Sequence, residues 1–367
     1  MSLASQTWAD KTEQADGAEA EPASGFKTPY LIYFGDVESP GYAKTGLGLV
    51  DWRRNLCAGQ CRAPECCVDS GLPDMTIEEA ANAGVGSFVI GVAPAGGFIP
   101  DRWMQDLIKA ARAGLDIISG MHARLSDFPQ IADAAFESGA RLIDVRTPPK
   151  HLPLGSGVKR PGKRLLTVGT DCAVGKKYTA LAIEKEMRAR RWKADFRATG
   201  QTGVMIAGAG FAIDCVVSDF LSGAAEVLSP AADDDHWDVI EGQGALSHPS
   251  FAGVSLGLLH GSQPDALVLC HDPMRMYNLG TERKQPYPLQ SLRETIAANL
   301  AMARRVNPDA RFVGMSVNTS QLSAAEKSAL FERYATETGL PVVDPLKDGA
   351  KVIVDHIDKE FPYVPQA

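Results

Sequence analysis

From Tyr30 onward the chain alternates short apolar runs with stretches whose apolar residues recur every three or four positions. The runs YLIYF (Tyr30 to Phe34), SFVIGV (Ser87 to Val92), LDIIS (Leu115 to Ser119) and RLIDV (Arg141 to Val145) predict buried strands. Between them TIEEAANAG, DRWMQDLIKAARAG and DFPQIADAAFESG predict amphipathic helices, each closed by a glycine. Strand, helix, strand in repetition predicts an α/β fold with a parallel sheet wrapped by helices.

The alternation stops at TPPKHLPLGSGVKRPGK (Thr147 to Lys163), which is rich in Pro, Gly and Lys and lacks periodicity. It predicts a linker over 151–163 between a first domain over 28–150 and a second over 164–367. The second domain restarts the pattern with RLLTV, ADFRAT, WDVIEG, DALVLC, ARFVGMSV and LPVVD, six strands of a second parallel sheet. Each of these runs ends in a polar or glycine-rich turn, where open α/β sheets place ligands. Residues 1–27 are small, polar and acidic with no apolar periodicity, and are expected to be disordered.

A chain of 367 residues suits two domains, and no apolar run is long enough to cross a bilayer. The formal net charge of −8, with no basic patch joined to aromatics, argues against a nucleic-acid partner. Seven cysteines and no apolar signal segment suggest no disulfide scaffold, so the expected setting is the cytoplasm. Cys57, Cys61, Cys66 and Cys67 lack the spacing of a zinc site and are expected to be free thiols. A homo-oligomer, dimer or larger, is expected for a protein of this kind.

The stretch TVGTDCAVGKKYTA joins a strand to a helix through glycines and a lysine. Backbone amides converge at such a turn and the helix dipole adds positive potential, so Gly169, Thr170, Asp171, Cys172, Ala173, Val174, Gly175 and Lys176 are expected to cradle phosphates. The position after the lysine, where a nucleotide-hydrolysing loop places the hydroxyl that holds magnesium, is Lys177. No metal is therefore expected, and Lys177, followed by Tyr178 and Thr179, is expected to add to an anion clasp that grips phosphates without transferring them. Coenzyme A carries such phosphates. Cys172 sits where a helix N-terminus can lower a thiol pKa, which leaves an acetyl-cysteine relay as a minor alternative.

VGTDCAVGK, with one residue more than the common phosphate-loop spacing, resembles the loop of dethiobiotin synthetase and related P-loop ligases, and WDVIEGQGA resembles their later acidic strand end. GDVESPGYAKTGLGLVDWR, GVAPAGG, VGTDCAVGKKYTA, ATGQTG, EGQGALSHPS and HDPMRMY together resemble the bacterial D-glutamate N-acetyltransferase family, long catalogued as a domain of unknown function. That resemblance implies a Rossmann-like N-terminal domain joined to a P-loop-like C-terminal domain, with transfer of acetyl from acetyl-CoA to the amine of D-glutamate. An ATP-dependent ligase or carboxylase is the alternative, weakened by Lys177.

Acetyl transfer to an amine needs a base, a held thioester and support for an oxyanion. Glu241, closing an apolar strand, and His248, titrating near neutrality, are the candidate bases, with a turn-capping carboxylate and a merely bonded loop histidine as the plainer alternatives. Gln243 and the amides of Gly242 and Gly244 are candidate oxyanion donors. Thr199, Gln201, Thr202 and Gly203 of ATGQTG are expected to contact cofactor or substrate. Arg275 is the expected partner of a substrate carboxylate, with Lys44, Arg53 and Arg146 as weaker candidates. The pocket is expected in the cleft between the domains.

Overall fold

The computed structural model describes residues 25–37, 39–93, 97–281 and 285–362. The first domain runs β1 (Tyr30–Gly35), α1 (Lys44–Arg53), β2 (Cys57–Arg62), α2 (Ile77–Asn82), β3 (Ser87–Ile90), α3 (Met104–Arg112), β4 (Asp116–Ser119), α4 (Pro129–Ser138) and β5 (Leu142–Asp144). All its strand pairs are parallel, in the order β2-β1-β3-β4-β5. The apolar runs seen in the sequence occupy four of these positions. β2, CAGQCR, lacks an apolar run because it is an edge strand with only Gly59 and Gln60 buried.

Local chemistry sets the helix ends as the sequence predicts. Thr76 and Glu79 close a reciprocal capping box at the start of α2, and glycines at positive φ (Gly84, Gly114 and Gly139) end the three helical segments. The expected disorder of residues 1–24 and the central residues of GVAPAGG fall outside the described residues. At the border of that segment, Phe26 is buried in the first core and Lys27 pairs with Asp116 at 3.1 Å.

From Leu152 to Gly162 the chain has no regular element, yet it is bonded to the second domain. Arg160 donates to the carbonyls of Ser229 and Gly261, and Glu226 accepts from the amides of Ser156 and Gly157. The second domain runs β6 (Lys163–Gly169), α5 (Lys176–Ala189), β7 (Ala194–Arg197), α6 (Gln201–Ala207), α7 (Leu221–Leu228), β8 (Trp237–Ile240), α8 (Ala252–Ser262), β9 (Ala266–His271), α9 (Leu292–Ala303), β10 (Arg311–Val317), α10 (Ala324–Thr338), β11 (Val342–Val343) and α11 (Lys351–Glu360). Its sheet is also parallel, ordered β11-β10-β9-β6-β8-β7. β6 lies between β8 and β9, so the turns after β6, β7, β8 and β9 share one edge, where a ligand crevice forms.

The domain boundary in sequence is not a boundary in packing. Leu181 of α5, Ala198, and Val204, Met205 and Ile206 of α6 are buried in the same apolar cluster as Phe34, Leu49 and Ile118 of the first domain. Polar bonds reinforce this join. Arg53 Nε donates to the Ile206 carbonyl at 3.0 Å; Arg146 reaches the Gly120 carbonyl, Gln201 and Asp214 at 2.8, 3.1 and 2.7 Å. A Cβ on Gly120 would sit 2.9 Å from Gln201 Cγ, so the turn after β4 presses on the start of α6.

Truncating Met205, 2% exposed, should test this shared core. Met205→Ala is expected to cost about 2–5 kcal/mol and to lower one common calorimetric unfolding transition. Two resolved transitions, of which only one moves, would show instead that the domains are packed independently.

Candidate active site

The phosphate loop after β6 is built as its glycine spacing predicts. Gly175 has φ 100° and Ala173 φ 53°, and the turn delivers the chain to α5 at Lys176. Lys176 is buried, and its Nζ donates to the Asp171 carbonyl at 2.7 Å. Burial lowers its pKa. A Cβ on Gly169 would lie 3.1 Å from that ammonium, so the absence of a side chain there leaves room for it. Among the described residues, the amides from Cys172 to Lys177 have no backbone acceptor outside the helix itself, as an anion cradle requires.

Several side chains expected to line the cradle support it from beneath. The Thr170 hydroxyl bonds His271 Nδ1 at 2.9 Å, and Val174 is a core residue. Asp171 is fully buried; its Oδ2 accepts from Arg275 Nη1 and the Leu279 amide, both at 2.8 Å, and Oδ1 from Asn278 at 3.3 Å. Arg275 also donates to the Cys172 carbonyl at 2.9 Å. The expected carboxylate-binding arginine is thus a brace that ties the segment after β9 to the loop. Thr179 is turned inward as well, donating to the Gly175 carbonyl at 3.0 Å and lying 2.7 Å from Ser316 Oγ. The Cys172 thiol is pushed up in pKa by burial, against the lowering expected at a helix N-terminus, which removes the basis of a thiolate relay.

Lys177 does not face the loop. Successive helical residues point about 100° apart, so with Lys176 folded into the loop Lys177 leaves α5 on the side of the first domain. Its Nζ lies 4.4 Å from the ring centroid of Tyr178 and 3.0 Å from where a Cβ on Gly48 of α1 would stand. Tyr178 stacks on Trp52 with ring centroids 6.4 Å apart. The expectation that these two residues grip phosphate is corrected by this geometry: both belong to the join between domains.

That join contains the second cluster. Glu241 follows β8 and is 5% exposed, under the turn that opens α6. Its Oε2 accepts from the amides of Thr199 and Gly200, both at 3.1 Å. A Cβ on Gly203 would come within 2.1 Å of the same oxygen, so only glycine admits this contact. Gln243 donates to the Thr199 hydroxyl at 3.0 Å, and that hydroxyl donates to the Glu241 carbonyl at 2.6 Å. Thr202 lies 3.1 Å from Thr45 of α1, hydroxyl to hydroxyl. Gln201 is occupied by Arg146 and packed on Gly120, so it joins the domains.

Burial raises the Glu241 carboxyl to a pKa of about 7, although Lys177 and the two amides oppose the shift. Burial lowers Lys177 to about 8, while Glu241 and Asp51 raise it and Lys44 lowers it. Two groups of opposite charge type are thus brought close to neutrality at the domain join, a pattern typical of functional sites. His248 has a different setting. It is 1% exposed; Nε2 donates to the Leu279 carbonyl at 3.0 Å, and Nδ1 accepts from the Ser250 amide at 3.1 Å. With both nitrogens engaged by backbone groups it is a positioned ring, which corrects its reading as a base. The Gly242 amide is likewise spent on the Thr167 hydroxyl at 2.9 Å, leaving Gln243 and the Gly244 amide as oxyanion candidates.

A narrow crevice lined by Gly169, Gly242, Gln243, Gly244 and Ser255 opens between the ends of β6 and β8 and α8. All seven cysteines are free thiols. No helix among the described residues is long and apolar enough to cross a membrane. The contribution of α1 went unread in the sequence apart from Lys44, which is exposed at its first position, and Arg53 at its last. The available signal was the pair Gly46 and Gly48, which weakens a helix unless close approach demands it.

The fold and site define a two-domain α/β protein whose phosphate loop and acidic turn open beside the domain join. The family described as "Domain of unknown function (DUF1611_N) Rossmann-like domain" matches residues 57–148, and "Domain of unknown function (DUF1611_C) P-loop domain" matches residues 153–354. D-glutamate N-acetyltransferases from a Pseudoalteromonas species and from Tritonibacter scottomollicae are each 47% identical to the chain, over 90% of its length and over 99% and 98% of theirs. A crystal structure of a DUF1611 family protein from Anabaena variabilis is 31% identical, with a TM-score of 0.81 over 90% of this chain and 99% of that one. The chain belongs to this DUF1611, or D-glutamate N-acetyltransferase, family.

The raised Glu241 pKa has a consequence for stability. Because the folded value of about 7 exceeds the ordinary 4.5, burial of the neutral acid contributes stability that is fully present below pH 4.5. That contribution is lost as the pH rises through about 7. Glu241→Gln, uncharged throughout, is expected to flatten the stability profile over this interval in urea titrations; an unchanged slope would mean that Glu241 is ionised at its ordinary pKa.

Proposed function

We propose that this protein moves the acetyl group of acetyl-CoA to the amine of D-glutamate. The single observation that carries the reading is Glu241, a carboxyl poised near neutrality at the domain join, in a chain nearly half identical to two D-glutamate N-acetyltransferases over nine-tenths of its length. The phosphates of the coenzyme lie on the loop over Gly169 to Lys176, with the thioester at the acidic turn beside Gly244.

The amino acid arrives with its amine protonated, and ionised Glu241 takes one proton to free the nitrogen lone pair. The nitrogen attacks the thioester carbonyl, and Gln243 Nε2 and the Gly244 amide stabilise the oxyanion. Collapse of the tetrahedral intermediate breaks the carbon–sulfur bond. The coenzyme thiolate takes the second proton from the nitrogen, leaving the N-acetyl amino acid, and Glu241 releases the proton it took to solvent. Position 177 holds no hydroxyl and the Thr179 hydroxyl is committed to Gly175 and Ser316, so the ATP-dependent ligase reading lacks its usual magnesium ligand.

Incubation with acetyl-CoA and a panel of D- and L-amino acids, with titration of released thiol, tests this reading. Thiol release is expected only with acidic D-amino acids, rising with pH through about 7 as Glu241 ionises. Glu241→Gln should lower kcat by about 10²–10⁴-fold and abolish that rise. Silence with every amino acid, or magnesium-dependent ATP hydrolysis in its place, would overturn the reading.

A further inference from the structure

The ammonium of Lys177 is half-buried, yet among the described residues no hydrogen bond reaches it and no carboxylate lies within 4.0 Å. Its neighbours are the Tyr178 ring face at 4.4 Å and the bare backbone of Gly48. An ammonium at a partly covered join, with no hydrogen bond and no carboxylate in contact, is available to an anionic ligand. The charged groups around it come from two places: Glu241 after β8, and Asp51 and Lys44 on α1.

The opening beside this ammonium is kept by one residue. A Cβ on Gly48 would stand 2.8 Å from Tyr178 Oη, 3.0 Å from Lys177 Nζ and 3.3 Å from Thr202 Cγ2. The Thr45 and Thr202 hydroxyls flank the same space, 3.1 Å apart. An α-amino acid carries an ammonium and a carboxylate on one carbon. The join offers the complementary pair: a carboxyl that receives the proton of the first and an ammonium that lacks a partner for the second.

We propose that Lys177 anchors a carboxylate of the amino-acid substrate, in a seat between the Thr45–Gly48 face of α1 and the Thr202–Glu241 face of the second domain. The amino acid is thereby held by both domains, while the phosphate loop is left to the coenzyme. Lys44, one turn before Gly48 on α1 and close enough for its field to oppose protonation of Lys177, supplies the second cation that a dicarboxylate calls for. This seat rests on the acetyl-transfer reading for its reacting amine.

The test compares Lys177→Met, Lys177→Arg and Gly48→Ala with the wild type, by steady-state kinetics in both substrates and by calorimetric titration of D-glutamate alone. Lys177→Met is expected to raise both KM and Kd for D-glutamate by about 10- to 100-fold, the worth of one charge-assisted hydrogen bond. KM for acetyl-CoA should stay within about twofold, and Lys177→Arg should bind with intermediate affinity because the charge is kept. Gly48→Ala, whose added carbon meets only side-chain ends, should weaken D-glutamate while leaving Tm in place. A rise in KM for acetyl-CoA with D-glutamate affinity unchanged would overturn the anchor and return Lys177 to the phosphates. If the wild type transfers no acetyl group, the acetyl-transfer reading fails by itself; calorimetry of wild type against Lys177→Met still decides the anchor, and no D-glutamate binding by the wild type would overturn it.

Discussion

The site depends on close approach at the join of the two domains. Glu241 lies under the opening of α6 because Gly203 has no side chain, and Lys177 lies against α1 because Gly48 has none. The first contact is internal to the second domain; the second crosses the join and depends on the two domains staying this close. What holds them at that distance is the apolar cluster shared by Leu49, Leu181, Val204 and Met205, braced by Arg53 and Arg146. Hydrophobic burial fixes the spacing and the polar chemistry follows from it.

Two divisions of labour result. On the loop, a buried aspartate and the arginine after β9 brace a turn whose amides stay open, so the support is ionic and the binding surface is backbone. At the join, the carboxyl of Glu241 is held by two backbone amides and the ammonium of Lys177 by nothing comparable, so the binding surface is side chain and still incomplete. Adjacent lysines, Lys176 and Lys177, serve the two places because a helix turns them apart. The charge that the sequence shows as one basic dipeptide is divided between two places.

Strand runs, helix-ending glycines, the phosphate loop and the acidic turn were all legible in the sequence, because each is encoded within about ten residues by periodicity or by special backbone geometry. β2 was not, since an edge strand with two buried residues leaves no apolar run. Direction was also hidden. Spacing showed that Arg275, His248, Thr179 and Lys177 stand near the ligand edge, but their partners come from distant segments: Asp171, Leu279, Ser316 and Gly48. A side chain's availability for chemistry is what remains after tertiary bonds are made, and one sequence does not carry that remainder.

The most direct measurement of the central claim is a crystal structure with coenzyme A and D-glutamate bound together. The account predicts the coenzyme phosphates on the amides between Gly169 and Lys176, and the amino acid at the domain join, with a carboxylate on Lys177 and its nitrogen facing Glu241. D-glutamate bound away from α1, or Lys177 on a coenzyme phosphate, would contradict it.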